Sequence, residues 1–144
     1  MGKKASRAKT STVNHSTPLV HAPLAAYCQD LQDWPRRWMG FPQDLPPGEK
    51  LVAYFQPFLE HLIGGNLSRK TIRKHVDNLW ILGGEIIRDL NETPSRRKLP
   101  IEALVFDVIK EGGPLPYHCD SEEQLRSFES TCRKFRRFLE QQLH

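Results

Sequence analysis

A chain of 144 residues with 38% hydrophobic and 26% charged side chains has the length and composition of one globular domain of ordinary size. No stretch approaches the ~18–20 consecutive apolar residues that a membrane-spanning helix needs, so we expect no membrane partner. The basic N-terminus lacks the apolar segment of a secretory signal. Three widely spaced cysteines form neither a disulfide framework nor a zinc pattern, which favours a reducing cytoplasm.

The formal net charge of +4 comes from the beginning of the chain. Of the 21 lysines and arginines, four precede the first acidic residue, Asp30, and the 17 that remain equal the acidic residues in number. The four are Lys3, Lys4, Arg7 and Lys9. The rest of the chain therefore lacks the general positive field of a strongly basic nucleic-acid-binding domain. A basic surface on it requires segregation of its charges.

Residues 1–23 are polar, proline-punctuated and poor in large apolar groups, which predicts a disordered basic arm. It is either a tail that contacts phosphates or a solvated terminus. Residues 24–47 follow as a strap rich in proline and tryptophan, with a short helix at 24–31. Its three large aromatic residues either pack across the helices or form a partner-binding or base-stacking patch. They are Trp34, Trp38 and Phe41.

Residues 48–144 predict an all-α domain of four main helices. The first begins near Pro47, is kinked or split at Pro57, and ends with a left-handed cap at Gly64-Gly65. After the central helix, the sequence predicts a shorter helix over residues 100–112. It also predicts a last helix that begins with a capping box after Asp120-Ser121.

The central helix, residues 66–90, organises the domain. Apolar residues recur along it at steps of three and four, and Ser68 is well placed to cap its N-terminus. Gly83 lies on the core face, which indicates close approach of another helix. Ile81 projects opposite that face, and it marks either a partner surface or a helix buried on more than one side.

The sequence contains no phosphate-binding glycine loop, no nucleophile motif and no ligand spacing among its histidines. A metal held by His118, Cys119 and Cys132 would require the fold to bring these residues together. We therefore expect no enzyme, cofactor or metal site.

Basic residues concentrate at three places: the start of the central helix, the connector after it, and the last helix. The residues predicted to contact phosphates are Arg69, Lys70, Arg73, Lys74, Arg97, Arg133 and Arg137. If they share a face, that face suits duplex DNA. The alternative is a set of solvated faces balanced by Glu122, Glu129 and Glu140.

The segment from Gly48 to Gln142 resembles the SAM-like core-binding N-terminal domain of tyrosine recombinases and phage integrases. The resemblance rests on FLEHLIGGN, LSRKTIRKHVDNLWILGGEII and SFESTCRKFRRFLEQ, with Ser68, Thr71 and His75 at the family's motif positions. It implies a four-helix clamp that grips DNA with its second and last helices. That family also needs a catalytic domain, which is not in this sequence. We therefore expect an accessory DNA-binding protein of a mobile element or recombination system, acting in a prokaryotic cytoplasm or nucleoid.

Two other functions fit the sequence. One is a protein-interaction module, for example one that binds a recombinase, using the Trp34, Trp38 and Phe41 strap or the Ile81 face. The other is an antitoxin-like inhibitor.

Overall fold

The computed structural model describes residues 22–114, 116 and 119–142. Within these ranges the chain is all-helical and contains no strand, which confirms the predicted fold class. The α-helices are α1 (Ala22–Ala25), α2 (Trp34–Trp38), α3 (Leu45–Ile63), α4 (Arg69–Glu92), α5 (Ile101–Ile109) and α6 (Glu122–Gln142). Short 3₁₀-helices lie at Leu31–Asp33, Pro42–Asp44, Pro94–Lys98 and Lys110–Gly112. The predicted arm lies outside the described residues except for Ala22 and Pro23, which belong to α1.

Side-chain caps fix the N-termini of the two longest helices. The hydroxyl of Ser68 accepts a hydrogen bond from the backbone N–H of Thr71 at 3.1 Å, which confirms the predicted cap of α4. At α6, the backbone N–H of Gln124 donates to Ser121 Oγ at 3.1 Å. The side chain of Gln124 in turn accepts from the backbone N–H of Asp120 at 2.9 Å. The predicted capping signal therefore sets where α6 begins.

The observed α3 begins earlier than predicted but ends, as predicted, before Gly64. The helix begins at Leu45, and Pro46 and Pro47 occupy its first turn. Backbone N–H groups of a first turn have no acceptor within the helix, so proline costs no hydrogen bond there. The helix continues without interruption through Pro57. The predicted left-handed cap is wrong, because Gly64 has φ −76°.

The loop between α5 and α6 contains the two glycines that do need positive φ. Gly112 and Gly113 have φ values of 95° and 90°. Gly113 also faces Cys132, which leaves no room there for a side chain.

Aromatic side chains from α3 and α6 form the centre of the core. The rings of Phe58 and Phe135 stack at 4.7 Å, and Phe55 meets Phe135 edge-on at 5.6 Å. The strap contributes to the same cluster through Leu31 and Trp34, both buried. It packs as short helical pieces against α3 and α4, so its prolines interrupt regular helix without preventing burial.

Trp38 explains why residue 83 of α4 is a glycine. Its ring lies so close to Gly83 that a Cβ there would overlap it, and its Nε1 donates to the backbone oxygen of Trp80 at 2.9 Å. The predicted close approach at Gly83 is confirmed, although the approaching group is a side chain of the strap. Gly84 is different, because a Cβ there would meet Trp38 at an ordinary 3.5 Å.

Substitution of the two glycines should therefore have opposite effects on stability. We expect Gly83→Ala to lower the free energy of unfolding by about 2 kcal/mol, because the methyl group forces Trp38 out of place. Gly84→Ala should raise it by up to ~1 kcal/mol through helix propensity. Urea denaturation of both variants measures the difference, and equal effects would contradict this role of Trp38.

Candidate nucleic-acid interface

A buried polar contact holds α4 against α6. Nδ1 of His75 lies 2.7 Å from Thr131 Oγ1, and Asn78 Nδ2 donates to the same oxygen at 2.9 Å. Thr131 Oγ1 accepts from Asn78 and has two possible acceptors for its one proton, Nδ1 of His75 at 2.7 Å and the backbone oxygen of Ser127 at 3.3 Å. The direction of the His75 contact depends on which ring nitrogen carries the proton. These bonds fix which faces of the two helices meet.

His75 is neutral in the fold. It is 3% exposed, and burial lowers its pKa to about 4, with smaller contributions from the charges of Lys74 and Lys134. His75 therefore adds no positive charge to its surroundings. Lys74 of α4 and Lys134 of α6 therefore both lie within electrostatic range of this ring.

The first two turns of α4 form one wall of a groove of about 890 Å³ that opens to solvent. Beyond the cations, its lining includes Asn78 of α4 and Gln124 and Ser127 of α6. Asp77 is its one carboxylate among the described residues. Four of the residues predicted to contact phosphates are brought together here: Arg69, Lys70, Arg73 and Lys74.

Two cations of α6 extend this surface. Lys134 and Arg137 line a smaller depression of about 130 Å³ together with His61. Lys134 also acts electrostatically on the ring of His75, as Lys74 does. The four groove cations with Lys134 and Arg137 are called the basic face below. Lys134 was not among the predicted contact residues, although it is three positions from Arg137 and so on the same side of the helix.

Ion pairing leaves the cations of the basic face out within the described part of the chain, because no carboxylate there lies within 4 Å of Lys70, Arg73, Lys74, Lys134 or Arg137. Asp77 interacts with Arg73 from a greater distance. The Arg69 guanidinium lies over the ring of Tyr27 at 4.9 Å, so an aromatic contact holds it. Charge on this face therefore remains open to an anionic ligand.

Arg97 lies away from the basic face and has a structural role. Its guanidinium donates to Asp44 Oδ1 at 2.8 Å and to Asn91 Oδ1 at 2.6 Å. Asp44 is 0% exposed and also accepts from the backbone N–H groups of Gly40 and Phe41. Burial alone would raise the pKa of Asp44, but these hydrogen bonds outweigh it and lower the pKa below its usual value. Arg97 thus joins the connector after α4 to the strap.

The remaining predicted residues divide between core and surface. Arg133 pairs with Glu129 at 3.8 Å, lies beside Gly112, and lines neither the groove nor the depression. Trp34 is buried and Trp38 half-buried, whereas Phe41 is 54% exposed. Ile81 is half-buried at the edge of the groove.

Among the described residues, no group of three metal-ligating side chains comes together. His118 lies outside them, as do His15, His21 and His144. Burial, with smaller effects of nearby carboxylates, raises the pKa of the Cys28 and Cys132 thiols to about 12, so neither is a reactive thiolate.

No helix in the described part of the chain is long and apolar enough to cross a bilayer. Comparison with protein families, with curated proteins and with solved structures finds no match to this chain.

Neutral, buried His75 makes stability depend on pH. Its pKa is lowered from 6.5 to about 4 by folding, so the unfolded chain binds more protons between these values. The contribution of neutral His75 to the free energy of unfolding is therefore fully present above pH 7 and is lost as the pH falls towards 4. We expect the free energy of unfolding to drop by about 2 kcal/mol from pH 7 to pH 5 through this residue. His75→Gln should remove that part of the dependence in denaturation measured across this range. His61→Gln at the exposed His61 should not, and an unchanged profile in His75→Gln would contradict the assignment.

Removal of the Arg97 guanidinium should leave the Asp44 carboxylate buried with an unbalanced charge. We expect Arg97→Gln to lower the free energy of unfolding by about 3 kcal/mol. Arg36→Gln, which breaks an exposed pair with Asp33, should cost less than about 1 kcal/mol. Similar losses in the two variants would show that the Arg97 pair is not structural.

Proposed function

We propose that this protein is a non-catalytic helical domain that binds double-stranded DNA through its basic face. The observation that supports the proposal is that four cations of α4 line one groove, while Lys134 of α6 acts together with Lys74 on the His75 ring between the two helices. Among the described residues, none of these cations has a carboxylate within 4 Å. Each phosphate that such cations neutralise releases counterions, which favours binding to a polyanion.

The local electrostatics of α4 support a phosphate ligand. Four cations occupy the first two turns of this helix, where the helix dipole disfavours positive charge. An anion bound in the groove would offset that cost and would also meet the free N–H groups of the first turn. A DNA backbone can supply several such anions along one face.

The described chain begins close to this site. Tyr27, shortly after α1, contacts Arg69 at the end of the groove. The four cations of the N-terminal arm precede α1 and lie outside the described residues. In this proposal they add phosphate contacts next to those of the groove.

The resemblance to the core-binding domain of tyrosine recombinases indicates the biological role that we propose for this domain. That family grips DNA with its second and last helices, and α4 and α6 correspond to these in chain order. Ser68 and His75 at the family's motif positions cap α4 and join it to α6 here. We therefore propose a SAM-like four-helix domain that acts as an accessory protein of a mobile element or recombination system, in the cytoplasm or on the nucleoid of a prokaryote. A recombinase is a candidate partner.

A second candidate function is protein–protein interaction, including antitoxin-like inhibition. It is favoured by two apolar side chains of the strap, Met39 and Phe41, that remain exposed. This function would not require DNA, so the experiment below separates the two.

Binding to duplex DNA should weaken steeply with salt. We expect fluorescence anisotropy with a labelled duplex to detect binding at low salt, with log Kd rising linearly with the logarithm of salt concentration. Lys70→Gln and Lys74→Gln should each weaken binding and reduce the slope by about one unit.

Lys110→Gln is the matched control, because Lys110 pairs with Asp107 outside the basic face. It should leave both affinity and slope unchanged. Absence of binding at low salt by the full chain, or equal effects of the three substitutions, would contradict the proposed function.

A further inference from the structure

A second cavity lies beside the groove and shares one wall with it. This notch has a volume of about 300 Å³ and is lined by Trp38, Trp80, Ile81 and Gly84, among others. Ile81 lines both the notch and the groove, so the two cavities are neighbours on the outward side of α4. The volume is at the lower end of the ~300–1,000 Å³ typical of small-ligand sites.

The notch exists because of the glycine pair of α4. Gly83 lets the ring of Trp38 rest on the helix, and Gly84 adds no side chain to the space beside it. Trp38 is held in place by its hydrogen bond to the Trp80 backbone oxygen. The notch is therefore a built feature of the packing between strap and helix.

Trp80 is 40% exposed and remains available for contact. A large, partly exposed indole next to a cavity offers an aromatic surface that has no partner within the described residues. Stacking of bases on such side chains is strong and tolerant of sequence.

The charges around the notch suit a nucleotide. Arg37 lines it and has no carboxylate within 4 Å among the described residues. The carboxylate of Glu85, which also lines it, is paired with Arg88. The phosphates of a strand leaving the groove would thus meet an unpaired cation, with the nearby acid already neutralised.

We propose that the notch receives an unpaired nucleobase, stacked on Trp80, from DNA whose duplex part lies on the basic face. The ligand class is then DNA with a junction between double and single strand. This inference rests on the proposed function. The continuity of the notch with unpaired cations favours a nucleotide over an apolar protein side chain.

The test compares three probes by fluorescence anisotropy with the full chain. They are a blunt duplex, the same duplex with a short oligo-dT overhang, and the same duplex with an overhang of equal length made of abasic sites. The two overhangs carry equal numbers of phosphates, so only base stacking distinguishes them. We expect the dT overhang to bind about tenfold more tightly than the abasic one.

Variants of the notch locate the effect. Trp80→Ala should remove the preference for dT over abasic overhang and leave blunt-duplex affinity unchanged, because the backbone acceptor for Trp38 remains. Trp80→Phe should restore part of the preference. Gly84→Ala, which the fold accommodates, should reduce it by narrowing the notch. Leu99→Ala, at an apolar residue of similar exposure (41%) outside the notch, should have no effect.

Equal affinity for the two overhangs in the unsubstituted protein would overturn this inference and leave duplex binding intact. A preference that persists in Trp80→Ala would overturn it as well. Failure to bind any of the three probes would instead overturn the proposed function, and this inference with it.

Discussion

The polar contact between α4 and α6 determines what the rest of the surface can do. His75 and Asn78 are buried, and each finds its hydrogen-bond partner in Thr131. A rotation of either helix would leave these groups unsatisfied away from water, at a cost of about 1–3 kcal/mol for each. The contact therefore fixes the register of the two helices. With that register set, the cationic sides of both helices face outward as neighbours.

The distribution of ion pairs explains how a body without net charge can present a basic face. Acidic residues are used where arginines join segments of the fold. Arg96 binds Asp89 and Asp107, and Arg97 binds the buried Asp44. At the start of α4, Asp77 interacts with Arg73 and with Asp30 but forms no ion pair within 4 Å among the described residues. Three carboxylates are thus used to join segments of the fold, away from the groove.

The strap gives α4 a second, different neighbour. Trp38 occupies the space over Gly83, and the space beside Gly84 stays open. In consequence the outward side of α4 is cationic in its first two turns, and the notch that follows combines aromatic walls with the charged groups at its edge. A ligand that combines phosphates with a flat apolar group matches this succession, which is why the proposals for groove and notch converge on DNA.

Local patterns in the sequence predicted the helices well. The apolar period of α4, the hydroxyl of Ser68 and the capping residues of α6 act over a few positions, so they can be recognised without the fold. The four cations at the start of α4 were grouped correctly for the same reason. Gly83 was recognised as a point of close approach from its place on the core face.

Contacts between distant segments could not be predicted in this way. Nothing near Arg97 in the sequence indicates that its partner is Asp44, 53 positions away, and the arginine was therefore assigned to a phosphate. Gly64 and Gly113 each belong to a glycine pair that follows a predicted helix, but of these two only Gly113 has positive φ. The notch depends on Trp38 meeting α4, and no pattern within either segment specifies that meeting.

The central claim is that DNA binds where α4 and α6 adjoin. The most direct test is a ¹H–¹⁵N correlation spectrum of the full chain titrated with a short duplex. We expect shift changes to concentrate on residues of the first turns of α4 and on α6 around Lys134 and Arg137. Changes confined to α5 and the connector around Arg97, or no changes at all, would contradict it.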